Sequence, residues 1–202
     1  MTTILQLAER AAQGDQAAVE RLLELHLPAV RAFVRSHMSQ KLRAKESSSD
    51  IVQSVCRELL THQDRFRHPS EGAFAAWLFT TARRKIQNRL RDFDRQKRDV
   101  GRERPDGDLD LDLAVVGSAY ARFSSPSASL MRREEIERLE GALEQLRPEH
   151  REVLTLAHLA GLSRAEIAAQ IGGTEEGVRS MLYRAMAKLS LLLEEGGDGE
   201  AR

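Results

Sequence analysis

Arg83, Arg84, Lys85, Arg89, Arg91, Arg95, Lys97 and Arg98 set eight positive charges within sixteen residues, against only Asp92 and Asp94. Leu78, Ala82, Ile86, Leu90 and Phe93 share one face of a helix drawn through this stretch, and Arg84, Asn88, Arg91, Arg95 and Arg98 share another. A basic stripe opposite an apolar one suits a phosphate backbone, where each Lys or Arg contact releases counterions. The same pattern also serves as a solvated helix face. Before the stripe stand Phe66, His68 and Ser70 in a loop, then Phe74 and Trp77, whose rings could hold an unpaired base. Trp77 is expected to be partly core.

A second group lies at residues 162–188. Ser163 and Glu166 have the S-x-x-E spacing in which each side chain bonds the other's backbone N–H at a helix start. Ile167, Ala168 and Ile171 turn inward, Gly172 and Gly173 permit the left-handed exit, and Thr174 can cap a second helix whose positive end Glu175 and Glu176 favour. Val178 and Leu182 form its buried side. Arg179, Ser180, Tyr183, Arg184 and Lys188 are left outward, as in a recognition helix entering a major groove about 12 Å wide. The plainer alternative is a helical hairpin with a polar face.

Catalytic chemistry finds little support. The histidines His26, His37, His62, His68, His150 and His158 show no H-E-x-x-H spacing, and neither a G-x-S-x-G elbow nor a P-loop occurs. The one cysteine, Cys56, excludes an internal disulfide framework and a Cys-rich zinc site, and reads as a buried apolar helix residue. No cofactor or metal is expected, and a reducing cytoplasm suits the chain best. No stretch nears the roughly 18 apolar residues that span a bilayer, so no membrane insertion is expected.

The elements that must carry these groups are helical. The 202 residues are 41% apolar but only 4% aromatic, and 31 basic side chains balance 31 acidic ones, so any affinity for nucleic acid lies in the distribution of charge. Helical spacing recurs at 17–38, 50–60 and 74–98. Pro105, Gly107, Gly117 and Pro126, with Asp106, Asp108, Asp110 and Asp112, then break it. It returns with Ile136, Leu139, Leu143 and Leu146, and Pro148 opens the next helix. The fold class is all-α, with two small helical domains at 1–99 and 131–193. A flexible acidic linker at 100–130 joins them, and a fraying, disordered tail occupies 194–202.

In this order and spacing, the motifs resemble sigma factors of the extracytoplasmic-function (ECF) group, over about residues 10–192. The first domain carries Asp50-Ile51-Val52-Gln53, a loop, Phe74-x-x-Trp77-Leu78 and the basic helix. The second carries Leu139 to Leu146, Arg151-x-Val153-Leu154, Gly161 to Ala168, Gly172, Val178-Arg179-Ser180 and Arg184-Ala185. The wording at 46–56 and 77–89 resembles planctomycete variants.

The resemblance implies a chain that binds core RNA polymerase and directs it to promoters through minus-35 and minus-10 elements, helping the DNA to melt. Asp50, Ile51 and Gln53 would meet the clamp coiled coil of the largest subunit, with the flap as a further contact. Phe66, His68, Ser70 and Trp77 would receive a base flipped from the non-template minus-10 strand, and Arg84, Asn88, Arg91 and Arg95 would hold that element. Thr174, Glu176, Arg179, Ser180, Tyr183, Arg184 and Lys188 would read the minus-35 element. The acidic linker would thread toward the RNA exit channel, and an anti-sigma protein is a partner many members have. Many members carry Asn where this chain has Arg84, and Asp where it has Asn88, so minus-10 preference is expected to differ. The competing readings are a dimeric helix-turn-helix regulator of duplex operators and, far behind, a hydrolase.

Overall fold

A computed structural model describes residues 3–66, 70–96, 119–120 and 133–197. The N-terminal unit comprises α1 (Ile4–Ala12), α2 (Gln16–His37), α3 (Gln40–Arg43), α4 (Ser48–Thr61), a 3-10 turn (Gln63–Arg65) and α5 (Glu71–Gln96). The C-terminal unit comprises α6 (Arg133–Gln145), α7 (Pro148–His158), α8 (Arg164–Ile171) and α9 (Glu175–Gly197). No strand occurs among the described residues, and the architecture is all-α in two helical units.

The apolar stripes read along the sequence are the ones buried. Ile51, Val52, Val55 and Leu59 turn α4 inward, and Leu78, Ala82 and Ile86 turn α5 against it. Phe33 of α2 meets Phe79 of α5 edge to face, with ring centroids 5.1 Å apart, an arrangement worth about 0.5–1.5 kcal/mol beyond its buried area. In the C-terminal unit Ile136, Leu139, Leu143 and Leu146 close on Val153, Leu154 and Leu156.

Three features depart from the sequence reading. Helix α1, which lies outside the helical segments expected from the sequence, begins with a capping box between Thr3 and Gln6 and buries Leu7, Ala8 and Ala11. Nine residues are too few to be stably helical alone, so its packing on α2 holds it. Helix α9 runs to Gly197, into the segment expected to fray, because buried Leu189 and half-buried Leu192 and Leu193 carry it past Glu194 and Glu195. Ala119 and Tyr120, inside the span read as a flexible linker, are helical and buried. The rest of that span, including its acidic run, lies outside the described residues.

Tyr120 sits at a seam where the two units meet. Its hydroxyl lies 2.9 Å from the Ala32 carbonyl of α2 and 3.0 Å from Glu140 Oε1 of α6. Glu140 is 2% exposed and accepts from Arg35 Nε at 2.7 Å and Arg35 Nη2 at 3.0 Å, with Arg43 Nη1 3.5 Å away. Farther along, Arg83 reaches Glu152 at 3.2 Å, Arg151 donates to the Ser36 carbonyl at 3.2 Å, and Gln170 Nε2 donates to Thr80 Oγ1 at 3.0 Å.

His37 is enclosed at this seam, its ring stacked on Phe33 with centroids 4.1 Å apart. Nδ1 lies 3.0 Å from the Phe33 carbonyl, so that nitrogen carries the proton. Nε2 has no hydrogen-bond partner among the described residues. Burial lowers the imidazole pKa to about 4; the Phe33 carbonyl opposes the shift, and the Arg151 and Arg83 charges add to it. His37 is therefore neutral near pH 7, and its 3.9 Å approach to Glu152 is not an ion pair there. A folded-state pKa below the usual 6.5 gives stability that is complete above that value and lost as pH falls toward 4. Urea unfolding from pH 7 to 4 should show a steeper loss for the parent than for His37→Gln. Taking the difference between the two chains removes the opposite contribution of Glu152, whose pKa burial raises.

Candidate nucleic-acid interface

The second helical pair is built locally as its sequence requires. Ser163 Oγ accepts from Glu166 N at 3.3 Å while Glu166 Oε2 accepts from Ser163 N at 2.8 Å, a cap worth about 1 kcal/mol. Gly172 ends α8 at φ 71°, where a Cβ would be strained. Thr174 Oγ1 then accepts from Gly177 N at 3.1 Å and starts α9, so this hydroxyl is a cap first.

Val178, Ala185 and Leu189 seat α9 on the core. Glu176, Arg179, Tyr183, Arg184 and Lys188 are exposed and Ser180 is half-buried. Tyr183, at 79% exposed, is the most open large hydrophobic residue described. Arg179 pairs with Glu176 one turn back at 3.5 Å, both groups largely in solvent. Such a pair is worth at most about 1 kcal/mol, so it holds the guanidinium loosely and can yield it to a base edge or phosphate.

On α5, Arg84, Asn88, Arg91 and Arg95 are all exposed along one face, as the helical spacing predicts. Their charge is partly answered from within the chain. Glu58 of α4 pairs with both Arg84 and Lys85, Glu46 lies 3.0 Å from Arg89, and Arg83 turns to Glu152 across the seam. Arg91 donates to Asn88. The positive field is thus weaker near Arg84 than the sequence count suggests, and the exposed stripe continues toward Arg91 and Arg95.

The loop before α5 is more structural than its sequence implies. Phe66 is only 4% exposed. It stacks on Trp77 at 5.8 Å and meets Phe74 edge-on at 5.3 Å. This corrects the reading of Phe66 as a ring held ready for a base, because the ring is buried and packed against Trp77 and Phe74. Trp77 is half-buried, as expected. Ser70 is exposed, and its Oγ accepts from Ala73 N at 3.0 Å as the cap of α5. His68 lies outside the described residues.

On α4, Asp50 and Gln53 are exposed on the face away from the core. Ile51 is 0% exposed, so its assignment as a surface contact is corrected. At a 3.6-residue period it shares a stripe with Val55 and Leu59, and it orients the helix from inside. Cys56 is half-buried, with its thiol pKa raised by burial, which disfavours a reactive thiolate. Among the described residues no helix is long and apolar enough to cross a membrane.

Known proteins share this arrangement. The family model described as ECF sigma factor matches residues 1–194. The chain is 31% identical to RNA polymerase sigma factor CarQ of Myxococcus xanthus, with 93% of this chain and 95% of that one covered. It is 27% identical to ECF RNA polymerase sigma factor SigD of Mycobacterium tuberculosis, covering 93% and 82%. The solved structure of CnrH in complex with the cytosolic domain of CnrY superposes with a TM-score of 0.58 at 25% identity, over 95% of this chain and 97% of that one. Sigma factor RpoE in complex with the anti-sigma factor NepR from Bartonella quintana gives 0.57 at 26% identity, over 87% and 96%. These matches favour a sigma factor over a dimeric operator-binding regulator. They run through both helical units and the face residues described above, and the chain belongs to the ECF sigma factor family.

Proposed function

We propose that this chain binds core RNA polymerase through Asp50 and Gln53, holds the minus-10 element with α5, and reads the minus-35 element with α9. In this reading residues 1–99 form the polymerase- and minus-10-binding domain, 131–193 form the minus-35-binding domain, and the acidic linker threads through polymerase. The observation that carries it is the presence, in one chain of this family, of an exposed Asp50–Gln53 face on α4 and an outward Arg179–Arg184 face on α9. Polymerase supplies the chemistry and this chain is not itself an enzyme. It works in the cytoplasm, and an anti-sigma protein of the kind bound by the two structural relatives is a natural regulator.

At the minus-10 element, Arg84, Asn88, Arg91 and Arg95 contact backbone and bases. Trp77 lines the site that takes the flipped base, with His68 and Ser70 in its loop. Phe66 supports Trp77 from behind. Unstacking a base costs a few kcal/mol, so the site works jointly with polymerase, and the free chain should bind promoter DNA weakly.

The deciding experiment is transcription from a genomic promoter library by purified core polymerase with and without this protein, with transcript starts sequenced. Starts that need the protein and share two upstream elements establish the reading. No new starts, with tight duplex binding by the chain alone, would sink it. For the exposed stripe, Arg91→Ala should reduce the slope of log affinity against log salt for the promoter complex by about 0.9, one phosphate contact.

A further inference from the structure

We infer that the free chain is held closed by a carboxylate latch: Glu140 of α6, seated among Arg35, Arg43 and Tyr120, fastens the C-terminal unit over the start of α5. The functional half of this inference rests on the sigma reading above.

The latch residues come from three parts of the chain. Arg35 Nε and Nη2 grip both oxygens of Glu140 at 2.7 and 3.0 Å, and Tyr120 ties the same carboxylate to the Ala32 carbonyl. Arg43 is itself anchored, its Nε 3.0 Å from the Met38 carbonyl and its Nη2 2.9 Å from the Arg35 carbonyl. A carboxylate that is 2% exposed survives burial only with this number of donors. On the far side of the seam the Glu166 carboxylate packs against Gly72 so closely that a Cβ there would overlap it, and Gln170 bonds Thr80. The first helix of the helix-turn-helix therefore covers the loop end of α5. The outward face of α9 stays open.

The seam is also built to part. Ion pairs and hydrogen bonds supplement the apolar core that the two units share, and a cavity of about 510 Å³ remains between Leu25, Ala29 and Gly72 on one side and Leu159 and Leu162 on the other. Buried ion pairs nearly break even against hydration, so separating Arg35 from Glu140 into water returns much of what it costs. A polymerase surface that engages the two units separately can draw them apart. Removing one partner alone is different, because it strands the other charge in the closed state.

The test uses the full chain with Cys56→Ser, Thr80→Cys and Gln170→Cys, and a short bis-maleimide cleavable by reductant. The free chain should cross-link rapidly within itself. Adding Glu140→Gln, or the milder Tyr120→Phe, should slow that reaction at least tenfold for the first and measurably for the second, with helicity by circular dichroism unchanged. Core polymerase should slow it as well. The cross-linked chain should give less than about a tenth of the transcripts of the uncross-linked one, and cleavage should restore them. Cross-linking indifferent to both substitutions, or full transcription by the bridged chain, overturns the latch. Latch-dependent cross-linking in a chain that yields no transcripts even unbridged would sink the sigma reading and leave the closed state standing.

Discussion

Core polymerase supplied with a limiting amount of the Asp50→Ala, Gln53→Ala chain is expected to give about thirtyfold fewer promoter-specific transcripts than with the parent, the effect of losing about 2 kcal/mol at an interface hot spot. Both side chains are exposed on α4, so the variant should fold. Asp50 also lies in the first turn of α4, where a carboxylate favours the helix by about 0.3–1 kcal/mol. That local loss is small beside the packing of Ile51, Val55 and Leu59. The contrasting substitution is Ile51→Ala one residue away, which should cost about 2–5 kcal/mol of stability by leaving a cavity and act through folding. A thermal melt separates the two cases. Unchanged transcription by the double variant, at sigma concentrations below saturation, would remove α4 from the polymerase contact.

The second large effect concerns α9. Arg179→Ala and Arg184→Ala should each weaken promoter binding by about 1–3 kcal/mol if the guanidinium meets a base edge, and each should relax preference at one position of the minus-35 element. Folding should barely register the changes, because both residues are exposed and the Arg179–Glu176 pair is a surface one. Transcription from a template already melted at minus-10 and lacking the upstream duplex is the control. A loss confined to intact promoters assigns α9 to the minus-35 element. An equal loss on the melted template would mean that α9 acts on polymerase instead.

The parts of the molecule legible in the sequence are those with a local cause. Ser163, Glu166 and Gly172 specify the start and end of α8 within ten residues, by side chain to backbone bonds and one left-handed φ. The face of α5 follows from helical period, so the exposure of Arg84, Asn88, Arg91 and Arg95 could be stated from spacing. Helix α1 was equally available: Thr3, Gln6 and the Leu7, Ala8, Ala11 spacing are the same signals in a shorter span. Ile51 was misjudged where a motif, read as a string, overrode the period that buries it.

What stayed hidden depends on partners in other elements. Nothing near Phe66 announces that its ring will be closed in by Trp77 and Phe74. Glu58 of α4 and Glu46 just before it neutralise part of the basic helix, which a count of charges along α5 cannot register.

By itself the sequence determined the all-α class, the helix-turn-helix with its outward arginines, the basic face of α5 and the family, because capping, helical period and motif spacing act within a few turns. Only the tertiary structure decided that the two units close on each other. Arg35 and Glu140 are 105 residues apart and Tyr120 and Ala32 are 88 apart, and Tyr120 lies in a stretch with no period of its own. A lone aromatic and a glutamate become a buried latch only when the fold has removed water from around them, and that depends on geometry no local pattern contains.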